Sequence, residues 1–188
     1  MTEDTASLER NRKFLLWLSM ISMAMAFAGL TSAFIVRQEQ ANWYRFQIPS
    51  ILWVGTVLLT LSSVFVILAQ RWAPKGKFNR VGGALLGSLA LAVGFTVCQF
   101  KGWGELVNSG VFFVDKKSPS GAFFYVLTGL HLAHLAGGMI ALLITSIRAF
   151  LGKYARENFL GLKLTAIFWH FLTVLWLYII VFVHIMFS

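Results

Sequence analysis

The chain has 188 residues, 58% of them hydrophobic and only 12% charged, with a formal net charge of +9 and a mean hydropathy of +0.75. A water-soluble domain of this size needs far more polar surface to cover its core, so that class is excluded. The positive balance does not mark a nucleic-acid binder either, because the 16 basic residues fall in the N-terminal arm and in short connections between long apolar stretches.

The first stretch, Phe14–Val36, follows an arm that mixes Glu3, Asp4 and Glu9 with Arg10, Arg12 and Lys13. Its apolar run is too long for a cleaved secretion signal and its flank too acidic, so it is expected to remain as a span. Ser22, Ala26, Gly29 and Ala33 form a small-residue stripe along it. After Arg37, Trp43, Tyr44 and Arg45 comes the second stretch, Ile51–Ala69, which carries Trp53 near its start. Trp72 and the bases Arg71, Lys75, Lys77 and Arg80 follow. The third stretch, Gly82–Phe100, has its own small stripe at Gly83, Gly87, Ala90 and Gly94, and holds the single cysteine, Cys98. One cysteine excludes an internal disulfide and a multi-cysteine metal site; it is expected to pack as a small apolar residue. The longest connection, Lys101–Gly121, contains Trp103 and is rich in Gly and Ser, and reads as loop. The fourth stretch, Ala122–Ile147, has small residues at Gly129, Ala133, Gly137 and Ala141, together with His131 and His134. Arg148, Lys153, Arg156 and Lys163 separate it from the fifth, Leu164–Phe187, which carries His170 and His184. The small stripes are expected to pack helix against helix. The large residues of the fifth stretch (Phe168, Trp169, Phe171, Trp176, Tyr178, Phe182) are expected to present a broad surface to a neighbour or to lipid.

Each stretch has 19 residues or more and contains no Asp, Glu, Lys or Arg. That is enough to cross a hydrocarbon core ~30 Å thick at ~1.5 Å per residue. Strand-length alternation is absent, which excludes an outer-membrane barrel. The fold class is all-α, an integral membrane bundle of five transmembrane helices, and the tryptophans and tyrosine near its ends suit an interfacial belt. With five spans, the N-terminal arm and the second and fourth connections share one side and hold 11 bases, against 5 on the other. The N-terminus is therefore expected in the cytoplasm and the C-terminus outside. No repeat divides the chain, so residues 1–188 are expected to form one transmembrane domain.

The lack of charge within the spans disfavours a pump or an ion-coupled transporter, which generally needs an intramembrane carboxylate or base. A channel for a small neutral solute stays open. Among the histidines, His131 and His134 lie on one helical face and cannot be opposite axial ligands of one haem. His170 and His184 are ~21 Å apart along their helix and cannot share a metal. A single haem between His170 and one histidine of the fourth span stays open, as in a membrane anchor passing electrons to quinone. The competing expectation is that these are structural, hydrogen-bonded groups. Depth along the spans sets Thr173 and Thr60 level with His134, and Tyr178 and Thr56 level with His131, so interhelical bonds to these hydroxyls are expected. The bases Arg71, Lys75, Lys77 and Arg80, with no acid beside them, are expected to attract anionic lipid head groups or simply to set topology.

The run Gly121-Ala122-Phe123-Phe124-Tyr125-Val126-Leu127-Thr128-Gly129-Leu130-His131-Leu132-Ala133-His134, with Gly138 four residues on, resembles a segment of subunit III of the haem–copper terminal oxidases, the cytochrome c and quinol oxidases. Trp169-His170-Phe171-Leu172-Thr173-Val174-Leu175-Trp176 is similar to a second motif of that family, in the right order. The earlier runs Phe27-Ala28-Gly29-Leu30-Thr31-Ser32-Ala33-Phe34 and Leu61-Ser62-Ser63 resemble it more loosely, so that the likeness covers nearly the whole chain. The resemblance implies the five-helix bacterial form, in the cell inner membrane, with no haem, copper or other metal bound by this chain. Haem and copper are then expected in subunit I, against which it would pack beside other oxidase subunits and phospholipids. Its implied roles are assembly, lipid binding and sustained proton-coupled oxygen reduction, with cytochrome c as the expected electron donor. Two departures matter: Thr173 stands where the family has an aspartate, and the first span lacks the glutamate of many members. Proton roles tied to those carboxylates do not carry over.

Overall fold

A computed structural model of the chain describes residues 3–39, 43, 46–113, 119–152, 154 and 159–187. They form five helices, α1 (Glu3–Gln38), α2 (Ile51–Trp72), α3 (Phe78–Asn108), α4 (Ser120–Phe150) and α5 (Leu160–Phe187), and no strand occurs among the described residues. All five are long and apolar enough to cross a membrane. The chain is a multi-pass membrane protein. Of the residues singled out in its connections, Tyr44, Arg45, Lys153 and Arg156 lie outside the described residues.

Helices α2, α3, α4 and α5 pack in a ring, each against the next and α5 back against α2; across it, only side chains such as the Phe95 and Trp176 rings are seen to meet. The periodicity that builds the ring is visible along α3, where Val81, Leu85, Ser88, Ala92, Phe95, Gln99, Gly102 and Leu106 are buried at alternating three- and four-residue steps. α1 stands outside the ring and touches only α4 and α5. Met20, Phe27, Thr31 and Phe34 are its inward face, and the Phe34 ring meets Trp43, Phe123, Phe182 and Phe187 at centroid distances of 4.8–5.7 Å.

Three expectations need correction. α3 continues through Lys101–Asn108, a segment that reads as loop. Tertiary contacts outweigh its weak helix propensity: Gly102 fits against Leu52, Leu106 is buried, and the Trp103 indole reaches α4, while Lys101 and Glu105 stay exposed. The small-residue stripes of α1 (Ser22, Ala26, Gly29, Ala33) and of α4 (Ala133, Gly137) face outward. Close approach falls at Gly87 and Gly94 of the α3 stripe, as expected, and otherwise at Gly55, Gly102 and Gly138, each with a side chain of a neighbouring helix against it. Finally, α5 turns Trp169 and Trp176 into the ring, fully buried, and only part of its large-residue set faces outward.

Candidate functional site

Polar groups in a dry bundle must find partners inside it, because the hydrocarbon offers none. Three tryptophans meet this demand in the same way. The Trp103 indole donates to Thr128 Oγ1 at 3.1 Å, Trp169 to Ser62 Oγ at 3.0 Å, and Trp176 to Thr56 Oγ1 at 2.9 Å. Each accepting hydroxyl meanwhile donates to a carbonyl one turn back on its own helix, those of Phe124, Leu59 and Leu52. A hydroxyl has one hydrogen and two lone pairs, so this division spends its only donor and still leaves an acceptor for the indole. The pairs Ser62–Trp169 and Thr56–Trp176 fix the antiparallel register of α2 and α5. Ser146 donating to the Gly82 carbonyl and Thr145 bonded to Thr165, both at 3.0 Å, tie α4 to α3 and α5. Thr31 and Tyr178, hydroxyl to hydroxyl at 2.9 Å, join α1 to α5.

The histidines are arranged differently from the expectation. His134 Nδ1 is bonded to the Leu130 carbonyl of its own helix at 2.8 Å, and its ring lies beside Phe27 of α1. His131 is fully buried, yet neither ring nitrogen has a partner. The expected hydroxyls are engaged elsewhere: Thr173 with the Trp169 carbonyl, Thr60 with the Thr56 carbonyl, Tyr178 with Thr31 and Thr56 with Trp176. The interhelical bonds expected of His131 and His134 are therefore not formed. His170 makes one instead, with Ser63 of α2. Depth arguments place residues at a level, but rotation about the helix axis decides which neighbour each one faces. The three histidines look in three directions, His134 towards α1, His131 into the ring and His170 towards α2. His184, exposed near the end of α5, meets Trp53 edge-on. No group of three or more His, Cys, Asp or Glu side chains among the described residues could hold a metal ion.

One inward group escapes the sequence reading. Gln99 is buried in α3 with both amide atoms unpartnered. The available signal was that Gln99 is the lone carboxamide in the five apolar stretches. At one end of the bundle, Arg71, Lys75, Lys77 and Arg80 are all exposed around the α2–α3 turn. Gly76, at φ +69°, closes that turn in the left-handed region. Lys77 and Arg80 line a cleft of about 440 Å³ whose opposite wall is Ala149, Phe150 and Gly152 at the end of α4. Arg71 and Lys75 lie outside that cleft.

Residues 3–188 match the family model described as "Cytochrome c oxidase subunit III". The chain is 27% identical over 193 residues to "Cytochrome c oxidase subunit 3" of Bacillus sp. (strain PS3), covering 98% of this chain and 90% of that one. It is 31% identical over 128 residues to the protein of the same name from Arabidopsis thaliana, covering 68% of this chain and 46% of that one. To the "Probable cytochrome c oxidase subunit 3" of Rickettsia bellii it is 33% identical over 142 residues, 74% of this chain and 48% of that one. The matched part thus spans about half the length of the latter two relatives and nearly all of the Bacillus one. With five membrane-crossing helices, the motif histidines on α4 and α5 and a match from one end to the other, this chain belongs to the cytochrome c oxidase subunit III family.

Proposed function

We propose that the chain is the non-catalytic third subunit of an aerobic respiratory terminal oxidase. It packs as one membrane domain against the haem–copper subunit I, and supports assembly, lipid retention and sustained proton-coupled oxygen reduction there. The observation that carries this reading is the family match over residues 3–188. The relatives' names favour cytochrome c over quinol as the donor to the complex. The divergent histidines support a chain that leaves haem and copper to its partners, since no two of His131, His134 and His170 face a common space. The reading further sets the protein in a bacterial inner membrane, with the basic α2–α3 turn in the cytoplasm and the end of α5 outside. There Lys77, Arg80, Arg71 and Lys75 meet anionic phospholipid head groups.

Affinity purification through a tag on this chain, from gently solubilised membranes, tests the proposal. A subunit carrying the haem–copper centre should co-purify, and stripping this chain away should leave that subunit's haem spectrum intact while turnover becomes short-lived. A Soret band at stoichiometric intensity in the isolated chain would overturn the reading in favour of a haem-carrying anchor.

A further inference from the structure

We infer that Gln99 and His131 together bind ordered water inside the four-helix ring. Gln99 is 1% exposed and His131 0%, and all four polar side-chain atoms, Gln99 Oε1 and Nε2 and His131 Nδ1 and Nε2, lack a hydrogen-bond partner. The two residues stand within a turn of one another on adjacent helices. One turn to one side of Gln99, the Phe95 ring meets both His131 at 6.3 Å and Trp176 at 4.8 Å between centroids. One turn to the other side, Trp103 donates to Thr128, which precedes His131 by three residues. Gln99 therefore faces the interior between the levels of Thr128 and His131.

No free side-chain donor is seen in this layer for Gln99 Oε1 or for the unprotonated ring nitrogen of His131. Thr56 and Thr128 each already donate to a carbonyl and accept an indole, and the Trp103 and Trp176 indoles are spent on them. The own-helix bond used by His134 is not made by His131, whose ring lies across Trp176 at 5.1 Å and 34° with Phe95 edge-on. A direct contact between the amide and the imidazole would satisfy one atom on each and leave the other two bare. Water, with two donors and two acceptors, can accept from the amide N–H and donate to the imidazole while keeping capacity for the remaining atoms. Ser88, also buried and unpartnered on α3, differs because rotation of its hydroxyl can reach a carbonyl of its own helix. The ligand is neutral and small: the apolar stretches carry no Asp, Glu, Lys or Arg, and Phe95 and Trp176 wall the site.

The purified complex, reconstituted in bilayers with ¹⁵N-labelled histidine, offers the test by solid-state NMR, with the His131 signals assigned by their loss in His131→Phe. The expected result is a cross-peak from a His131 ring nitrogen to water protons, lost in Gln99→Met, which keeps the side-chain shape without the amide. A cross-peak to the Gln99 amide protons in place of water, or none to either, overturns the proposal. If Gln99→Met fails to assemble, density in the unaltered complex decides alone: a peak within hydrogen-bond distance of both side chains supports the site, and its absence from otherwise well-ordered density refutes it.

Discussion

Replacing an indole by a phenyl ring tests the indole–hydroxyl pairs that stitch the ring. Trp176→Phe keeps most of the packing but takes away the donor to Thr56. It should lower the stability of the assembled subunit by ~1–2 kcal/mol, readable as an earlier thermal transition in detergent. Two adjacent glycines give a contrasting pair. A Cβ at Gly138 would meet Leu172 at 2.8 Å and the Trp169 ring at 3.2 Å, whereas one at Gly137 meets nothing within 4 Å. Gly138→Val should therefore cost ~1–3 kcal/mol through overpacking, while Gly137→Ala leaves the thermal transition of the subunit nearly unchanged. The sequence marks both positions as small residues on a helix but does not say which one touches a neighbour. The same gap explains His131 and His134: their type and depth were legible, but the direction each ring faces depends on the azimuth of α4, which the chain's own pattern leaves loose. Gln99 shows the converse, a plain compositional signal passed over because one amide in an apolar stretch carries no motif.

At the scale of elements, the apolar stretches located all five helices, and the charged residues flanking them coincide with helix ends only in part. α1 begins eleven residues earlier, at Glu3, and α3 runs eight residues past Phe100. Helices of membrane proteins are not obliged to stop where the hydrocarbon does; α3 continues because Trp103 and Leu106 find partners beyond it. α1 is the least secured element. Its hold on the ring rests on Phe27, the Thr31–Tyr178 bond and the aromatic cluster around Phe34. Phe34→Ala removes a ring with four aromatic neighbours and should cost ~3–5 kcal/mol if the site does not collapse. The expected outcome is local: faster hydrogen exchange along the second half of α1, with protection of α2–α5 retained. Uniform loss of protection in all five helices would show instead that α1 is integral to the ring.

At the scale of the whole molecule, the number of spans and the family were legible from charge-free runs and two motifs, while the ring arrangement with α1 outside it was not, because helix pairing depends on faces rather than on order along the chain. Orientation is open to direct measurement. Single cysteines at Lys77 and Ser109, in a Cys98→Ala background, should label differently with an impermeant reagent on intact spheroplasts, 109 reacting and 77 protected. The reverse pattern would invert the topology expected from the basic loops. The position of α1 also sets a timetable. It leaves the ribosome before the other four helices described, yet the helices it docks on are α4 and α5, the last of the five in chain order. While α2 and α3 pair with each other, α1 waits in the bilayer with only lipid, or another protein, against its inward face. For the duration of synthesis Phe27, Thr31 and Phe34 are a recognition surface awaiting its partner. A cell that must keep such helices from meeting the wrong neighbour has its task concentrated in that interval, which ends only when α5 has been inserted and Tyr178 can meet Thr31.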